Sequence, residues 1–262
     1  MNYFIPLSVI ICFLAYLVPM QHVGAKEKEP DDSLILSLSF DEISDRRVKD
    51  HSQYGNDGEL VGNPTLVEGK FGKALKFNGR SDWIEIPHDD SLTVDKSFTV
   101  MAWIKTLRHR GPRGALWQSI VAKGNDVRSY SFYTCSLTKG LHLSVGRAKG
   151  GSSVQHILLN RWQHVAVQVD NGIHRYWING KLDTEYPVEA TLPGQADTAS
   201  VRVGNSHDAK PAQAPDRHFL GLIDELHIWN RALSHDEIVR KMNTGYKLAQ
   251  NTEISPKPEG DR

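Results

Sequence analysis

Between Val165 and Leu182 the chain reads V-A-V-Q-V-D-N-G-I-H-R-Y-W-I-N-G-K-L, and this run leaves few folds open to it. Asn-Gly accepts positive φ at both centres of a tight turn, so such a pair between alternating apolar residues marks a β-hairpin. Asn171-Gly172 and Asn179-Gly180 therefore fold the run into a meander of three antiparallel strands. A third pair, Asn78-Gly79, predicts another hairpin earlier in the chain. Strand-like segments continue on both sides: Leu34–Phe40, Ala74–Phe77, Trp83–Ile86, Phe98–Lys105, Gln118–Lys123, Tyr130–Ser136, Leu141–Val145, Val201–Val203 and Leu220–Trp229. A helix is expected from Ser234 to about Met242, opened by the Ser-x-x-Glu capping box of Ser234 and Glu237. Many short strands, hairpin turns and a single helix specify an all-β chain. The expected architecture is a two-sheet antiparallel β-sandwich with one short C-terminal helix, with no internal repeat and no second domain.

Composition narrows the function classes. Lys+Arg and Asp+Glu both number 31 among the 262 residues, so no global basic field exists to hold nucleic acid or an anionic membrane. The apolar block Phe4 to Met20 is followed by Val23-Gly24-Ala25, small residues suited to signal-peptidase cleavage. Residues 1–25 are read as a secretory signal peptide, with an uncleaved membrane anchor as the alternative. The expected order is then a charged, flexible lead-in at 26–33, the folded domain at 34–247 and a disordered polar tail at 248–262. With Cys12 in the signal segment, Cys135 is left alone, so no intramolecular disulfide braces the domain. A lone thiol inside a strand is expected to be a buried small hydrophobe rather than a nucleophile.

The segment F-L-G-L-I-D-E-L-H-I-W-N-R-A-L-S-H-D-E-I, residues 219–238, carries the most specific chemistry. Period-two alternation places Leu222, Leu226 and Ile228 on one pleat face with Asp224 among them. A carboxylate in that setting has to be hydrogen-bonded or metal-bound, because burying it unpaired is costly.

Nine motifs in sequence order carry a family resemblance. They are L-S-L-S-F-D-E (36–42), K-D-H-S-Q-Y-G-N-D-G-E-L (49–60), G-K-F-G-K-A-L-K-F-N-G (69–79), W-I-E-I-P (83–87), S-F-T-V-M-A-W-I-K (97–105), R-W-Q-H-V-A-V (161–167), Y-W-I-N-G (176–180), V-G-N (203–205) and the 219–238 segment. Together they resemble the laminin-G-like, concanavalin A-like jelly-roll domains of secreted bacterial proteins, across about residues 34–245. The resemblance implies a β-sandwich that binds extracellular carbohydrate, or alternatively a surface protein as an adhesion module. It also implies a structural Ca²⁺ where the first and last strands neighbour each other. Asp41, Asn56 and Asp224 are the candidate ligands, with carbonyls of the Gly55–Gly58 loop completing the six to eight oxygens that Ca²⁺ takes. The competing reading is that Asp224 hydrogen-bonds loop backbone and Asp41 caps a turn.

Sugar recognition sets aromatic faces against C–H surfaces, with polar side chains reading the hydroxyls. Trp117, Tyr130 and Tyr133, near the polar Lys123–Arg128 loop, are the candidate platform, with Arg128 beside them. Trp103, Trp162, Trp177 and Trp229 are expected to pack. The basic run Arg108-His109-Arg110-Gly111-Pro112-Arg113 is either a solvated loop tip or a grip for an anionic polymer. Zinc is not expected, because the histidines are scattered along strands with no His-x-x-x-His pair on a helix. Glycoside hydrolases of this fold class place Glu-x-Asp-x-x-Glu on one strand. Here L-I-D-E-L-H lacks the first Glu and ends in His, so a binding module is expected rather than an enzyme, with a degenerate hydrolase or lyase as the remaining alternative.

Overall fold

The computed structural model describes residues 31–245 apart from 126, 148–149, 190–195 and 208–216. The expected signal peptide, most of the lead-in and the expected tail lie outside the described residues. Sixteen strands follow in chain order: β1 (Leu34–Leu38), β2 (Ile43–Ser44), β3 (Arg47–Val48), β4 (Gly58–Val61), β5 (Thr65–Glu68), β6 (Lys73–Asn78), β7 (Trp83–Ile86), β8 (Ser97–Thr106), β9 (Trp117–Gly124), β10 (Arg128–Cys135), β11 (Leu141–Gly146), β12 (Gln163–Asp170), β13 (Ile173–Ile178), β14 (Lys181–Pro187), β15 (Val201–Val203) and β16 (Leu220–Trp229). Helix α1 (His235–Asn243) comes last. Among the described residues no helix is long and apolar enough to cross a membrane.

The strands form two antiparallel sheets of eight. Sheet I runs β14-β13-β12-β8-β16-β6-β5, with β1 also paired to β16, and sheet II runs β11-β10-β9-β15-β7-β4-β3-β2. Between them lies one core, to which sheet I contributes Val100, Ile104, Val165, Val167 and Ile228, and sheet II Ile84, Val121, Phe132, Leu143 and Val203. The expected all-β sandwich is therefore the fold observed, with the first and last strands as neighbours. Cys135 is buried, as a small hydrophobe in a strand should be.

In sheet I, β8 and β12 are buried at nearly every position rather than at alternate ones. The reason is a second apolar layer outside the sheet. Met101, Ala166, Trp177 and Trp229 point away from the core and are covered by Leu233 and Ile238 at α1. That helix is fixed by its capping box: Ser234 Oγ accepts the Glu237 N–H at 3.3 Å, and the Glu237 carboxylate accepts the Ser234 N–H at 2.8 Å. Ile238 is its one fully buried residue, and burying such a side chain contributes about 1.5–3 kcal/mol.

Two of the three Asn-Gly pairs are hairpin turns. Asn171 and Gly172 have φ of 46° and 85°, and Asn179 and Gly180 have 50° and 74°, and they join β12, β13 and β14 into the expected meander. Asn78-Gly79 differs, because β6 lies in sheet I and β7 in sheet II, so the connection arches between sheets. There the Asn78 side chain accepts the Arg80 and Ser81 N–H groups at 2.8 and 3.0 Å, an Asx turn that competes with the tight hairpin.

Strand β16 also departs from simple alternation. Glu225 adopts φ 47°, and the register against β8 shifts between Asp224 and His227. This bulge puts Ile223, Leu226 and Ile228 together in the core, and turns Leu222 and Asp224 to the other face. It sits where β16 exchanges partners, from β6 at Ile223 to β1 at Leu226.

Candidate functional site

Sheet II has an outer face of a different kind. In β11, Leu141, Leu143 and Val145 enter the core, so His142 and Ser144 face outward. His142 is paired with Tyr133, which is paired in turn with Ser119. The Trp117 ring lies 4.6 Å from His142 and 6.1 Å from Tyr133, centroid to centroid, tilted by 50° and 58°. Arg217 stands 5.4 Å from the Tyr133 ring and donates from Nη1 to its hydroxyl at 3.0 Å. Burial, aided by the charges of Arg128 and Arg217, pushes the His142 imidazole down to about 4, so it is neutral at pH 7. Its nitrogens lie 3.1 and 3.2 Å from Ser152 Oγ and Ser144 Oγ. Among the described residues, Ser119 Oγ and Ser131 Oγ are buried hydroxyls without a hydrogen-bond partner.

A second group lies across the same sheet. The Trp83 ring is 5.5 Å from the Arg202 guanidinium and 5.6 Å from His218. Trp83 Nε1 and Arg202 Nε donate to Glu85 Oε2 at 2.7 and 2.8 Å, and Ser200 Oγ donates to Glu85 Oε1. Burial would raise the Glu85 carboxyl, but the hydrogen bonds from Ser200, Trp83 and Arg202 outweigh it and hold the group below the usual range. Residues 217–219 link the two groups: the Ser119 backbone N–H donates to the Arg217 carbonyl at 2.8 Å and that of Phe219 to the Gly204 carbonyl at 2.9 Å.

Of the expected platform, the structure brings together Trp117 and Tyr133 and separates Tyr130. Tyr130 is fully buried in the core, 5.7 Å from the Phe98 ring, and burial raises its hydroxyl far above the usual range. The physical reason is alternation, since residues 130 and 133 are an odd number of positions apart on one strand. Arg128 begins β10, half-buried, on the side where its charge reaches His142. The sequence alone assigns no role to His142, Arg217, Trp83, Glu85 or Arg202. The alternation in L-H-L-S-V and W-I-E-I-P was the signal that would have turned His142, Trp83 and Glu85 outward.

The candidate calcium ligands divide. Asp224 is fully buried, and its Oδ2 accepts the Lys70 and Phe71 N–H groups at 2.7 and 3.0 Å. Its Oδ1 has no partner among the described residues, and burial pushes the carboxyl up to about 8, with Glu225 adding to the rise. Asp41 Oδ1 accepts the Lys73 N–H at 2.8 Å, so both carboxylates lie against the 69–73 loop. A Cβ at Gly69 would stand 2.5 Å from Asp224 Oδ2, and one at Gly72 would collide with Asp41, which is why glycine is required there. Asn56 is held elsewhere. Its Nδ2 donates to Ile35 O at 3.3 Å and Ser91 Oγ at 2.9 Å. Ile35 lies opposite the Ile228–Trp229 end of β16, roughly 13 Å along the strand from Asp224, beyond the reach of one coordination shell. Among the described residues, no group of three or more His, Cys, Asp or Glu is placed to hold a metal ion. The geometry thus contains the backbone hydrogen bonding weighed as the alternative to calcium, together with one orphaned carboxylate oxygen. The 69–73 loop turns N–H groups toward both carboxylates, and Asn56 does not join them.

In the basic loop, Gln118 Nε2 donates to the carbonyls of Arg108 and His109 at 2.7 and 3.1 Å, and Arg110 Nε to that of Gly114 at 3.1 Å. These bonds hold the backbone of the loop.

Sequence and structure comparisons place this geometry among known proteins. The laminin G profile described as the concanavalin A-like lectin/glucanases superfamily matches residues 78–239. No curated protein matches the sequence. Among solved structures, the binding domain of Paraclostridial Mosquitocidal Protein 1 superposes with a TM-score of 0.62 at 17% identity, over 81% of this chain and 52% of that one. Domain 4 of AbnA, an extracellular GH43 arabinanase of Geobacillus stearothermophilus solved with arabinotriose, gives 0.59 at 22% identity, over 80% and 98%. A structure of botulinum neurotoxin type C, whose cell entry depends on two ganglioside molecules, gives 0.61 at 18%, over 81% and 51%. The chain therefore spans about half the length of the toxin structures it matches.

Proposed function

The chain belongs to the concanavalin A-like lectin/glucanases superfamily, and on that premise we propose that it is a secreted, non-catalytic module that binds extracellular carbohydrate on the outer face of sheet II. The observation that carries this reading is the contrast between faces: sheet I is sealed by α1, while the outer face of sheet II carries the half-buried rings of Trp117 and Trp83, with the buried Tyr133 ring beside Trp117. Aromatic rings offer apolar faces to sugar C–H groups, and the part-exposed Arg202 and Glu85 beside Trp83 offer a donor and an acceptor to sugar hydroxyls. The binding-domain character of the matched structures supports the same class. A glycosidase needs one carboxyl held protonated as general acid; on this face Glu85 is held the opposite way by Ser200, Trp83 and Arg202, and the raised carboxyl of Asp224 is fully buried in sheet I.

The scaffold reading includes calcium. Asp224, through its unpartnered Oδ1, and Asp41 would hold the ion, which would supply charge balance for the buried carboxylate. The binding test is migration in native gels containing single polysaccharides. Retardation by one of them that Trp117→Ala or Tyr133→Ala abolishes is the expected result. Absence of retardation by every glycan, with capture of a surface protein instead, would overturn it in favour of the adhesion reading.

A further inference from the structure

A cavity of about 720 Å³ opens where the β12–β13 turn, the ends of β11 and β14 and the residues before β8 meet. It is within the size range of small-molecule sites, which are mostly apolar with a few placed polar groups. Val145 from sheet II and Val169, Ile173 and Val188 from the sheet I side wall it with branched aliphatic side chains. His174 lines it as well, on the inward face of β13, paired across the ladders with Val169 and Tyr186. That imidazole is only 1% exposed, and its Nδ1 has no hydrogen-bond partner among the described residues. A buried ring nitrogen left unpaired costs desolvation free energy that a ligand hydroxyl would recover. Burial also pushes the imidazole down to about 4, so it is neutral at pH 7 and offers no positive charge to an anion. At the lining, Asp95 and Glu189 outnumber Lys96, which further disfavours anionic ligands. The rim is tied in place, with Asn171 donating to the Lys96 carbonyl at 3.1 Å and Val188 to that of Gly172 at 2.8 Å.

We propose that this cavity is a second binding site, distinct from the sheet II face, for an uncharged amphiphile whose apolar body packs on the valines while its hydroxyl bonds His174. Among the described residues the lining holds no Trp, Tyr or Phe, which separates it from a sugar platform. The site does not rest on the carbohydrate reading, and each fails independently of the other.

The test titrates 1-octanol into the full chain, with octanoate as the charged counterpart, and follows imidazole resonances and calorimetric heat. Saturable octanol binding that moves the His174 resonance is expected, with octanoate at least about tenfold weaker. His174→Phe keeps the apolar volume and removes the hydrogen bond, and should weaken octanol by about tenfold. Val145→Trp fills the cavity and should abolish binding; if it fails to fold, Val188→Trp at the half-exposed mouth serves the same purpose. No saturable binding, equal affinity for octanoate, or octanol shifts confined to the Trp117–Tyr133 face would each overturn the proposal.

Discussion

The outer faces of the two sheets carry the same residue type to opposite ends. On sheet I, Trp177 and Trp229 lie under α1, Trp103 donates to the Met242 carbonyl at 3.2 Å, and all three are at most 9% exposed. On sheet II, Trp117 and Trp83 are half-buried, with histidine, arginine and serine around them and no helix among the described residues packed above. A tryptophan in a strand thus reports burial of a ring but not its purpose. What distinguishes the faces is the element that follows β16: the capped helix folds back on sheet I and converts its outer side into a second core.

Four measurements sharpen or break that contrast. The largest effect is expected on sheet I. Trp229→Ala empties the layer under α1 and should cost about 3–5 kcal/mol in urea unfolding, while Trp117→Ala should cost no more than about 1. Equal losses would dissolve the distinction between the faces. Next come the buried histidines, one on each outer face. Burial lowers His164 to about 3 and His142 to about 4, both below the ordinary 6.5. Each contributes stability that is present above the unfolded value and lost as pH falls through the folded one. His164→Phe should flatten the acid limb of stability down to about pH 3, and His142→Phe only down to about pH 4.

The third concerns Asp224, on the outer side of sheet I opposite Trp103. Without a cation its folded value is raised from 3.8 to about 8, so the stability it contributes is full below 3.8 and lost as pH rises through 8. In EDTA, wild-type stability should decline across that window and Asp224→Asn should not. With calcium holding the carboxylate ionised the slope across that window should vanish, and a melting temperature indifferent to chelator would remove the metal from the scaffold. The smallest effect is that of Tyr130→Phe against Tyr133→Phe on glycan retardation. The core ring should leave it unchanged, and the outward ring should reduce it by about tenfold or less.

Much of the fold was legible because its signals are local. Asn171-Gly172 and Asn179-Gly180 demand positive φ, alternation marks β11 and β7, and Ser234 with Glu237 announces the helix start. Strand β5 was missed because T-L-V-E is largely exposed, and β2 and β3 because two residues form no pattern. The bulge at Glu225 was invisible for a different reason. Nothing in D-E-L-H says that a glutamate will take φ 47°, so strict alternation assigned Leu222 to the wrong face. At the candidate site, grouping aromatics by nearness to a loop found Trp117 and Tyr133 but included Tyr130, which strand parity places in the core. Arg217 and Arg202 come from distant segments, and only the register of β15 and residues 217–219 against β9 assembles them.

The pairing of β1 with β16 has a mechanical consequence. Leu34 sits opposite Trp229, and Asp31 meets Arg231, Lys241 and the Trp229 indole. The chain therefore enters and leaves the sandwich side by side. Tension applied between those two points would act at right angles to the strands, on one antiparallel ladder bond at a time, and peel β1 away like a zipper. Resistance to such a pull is met at the ionic clasp around Asp31 and then one ladder bond at a time, so the domain would yield at lower force than under a pull along the strands.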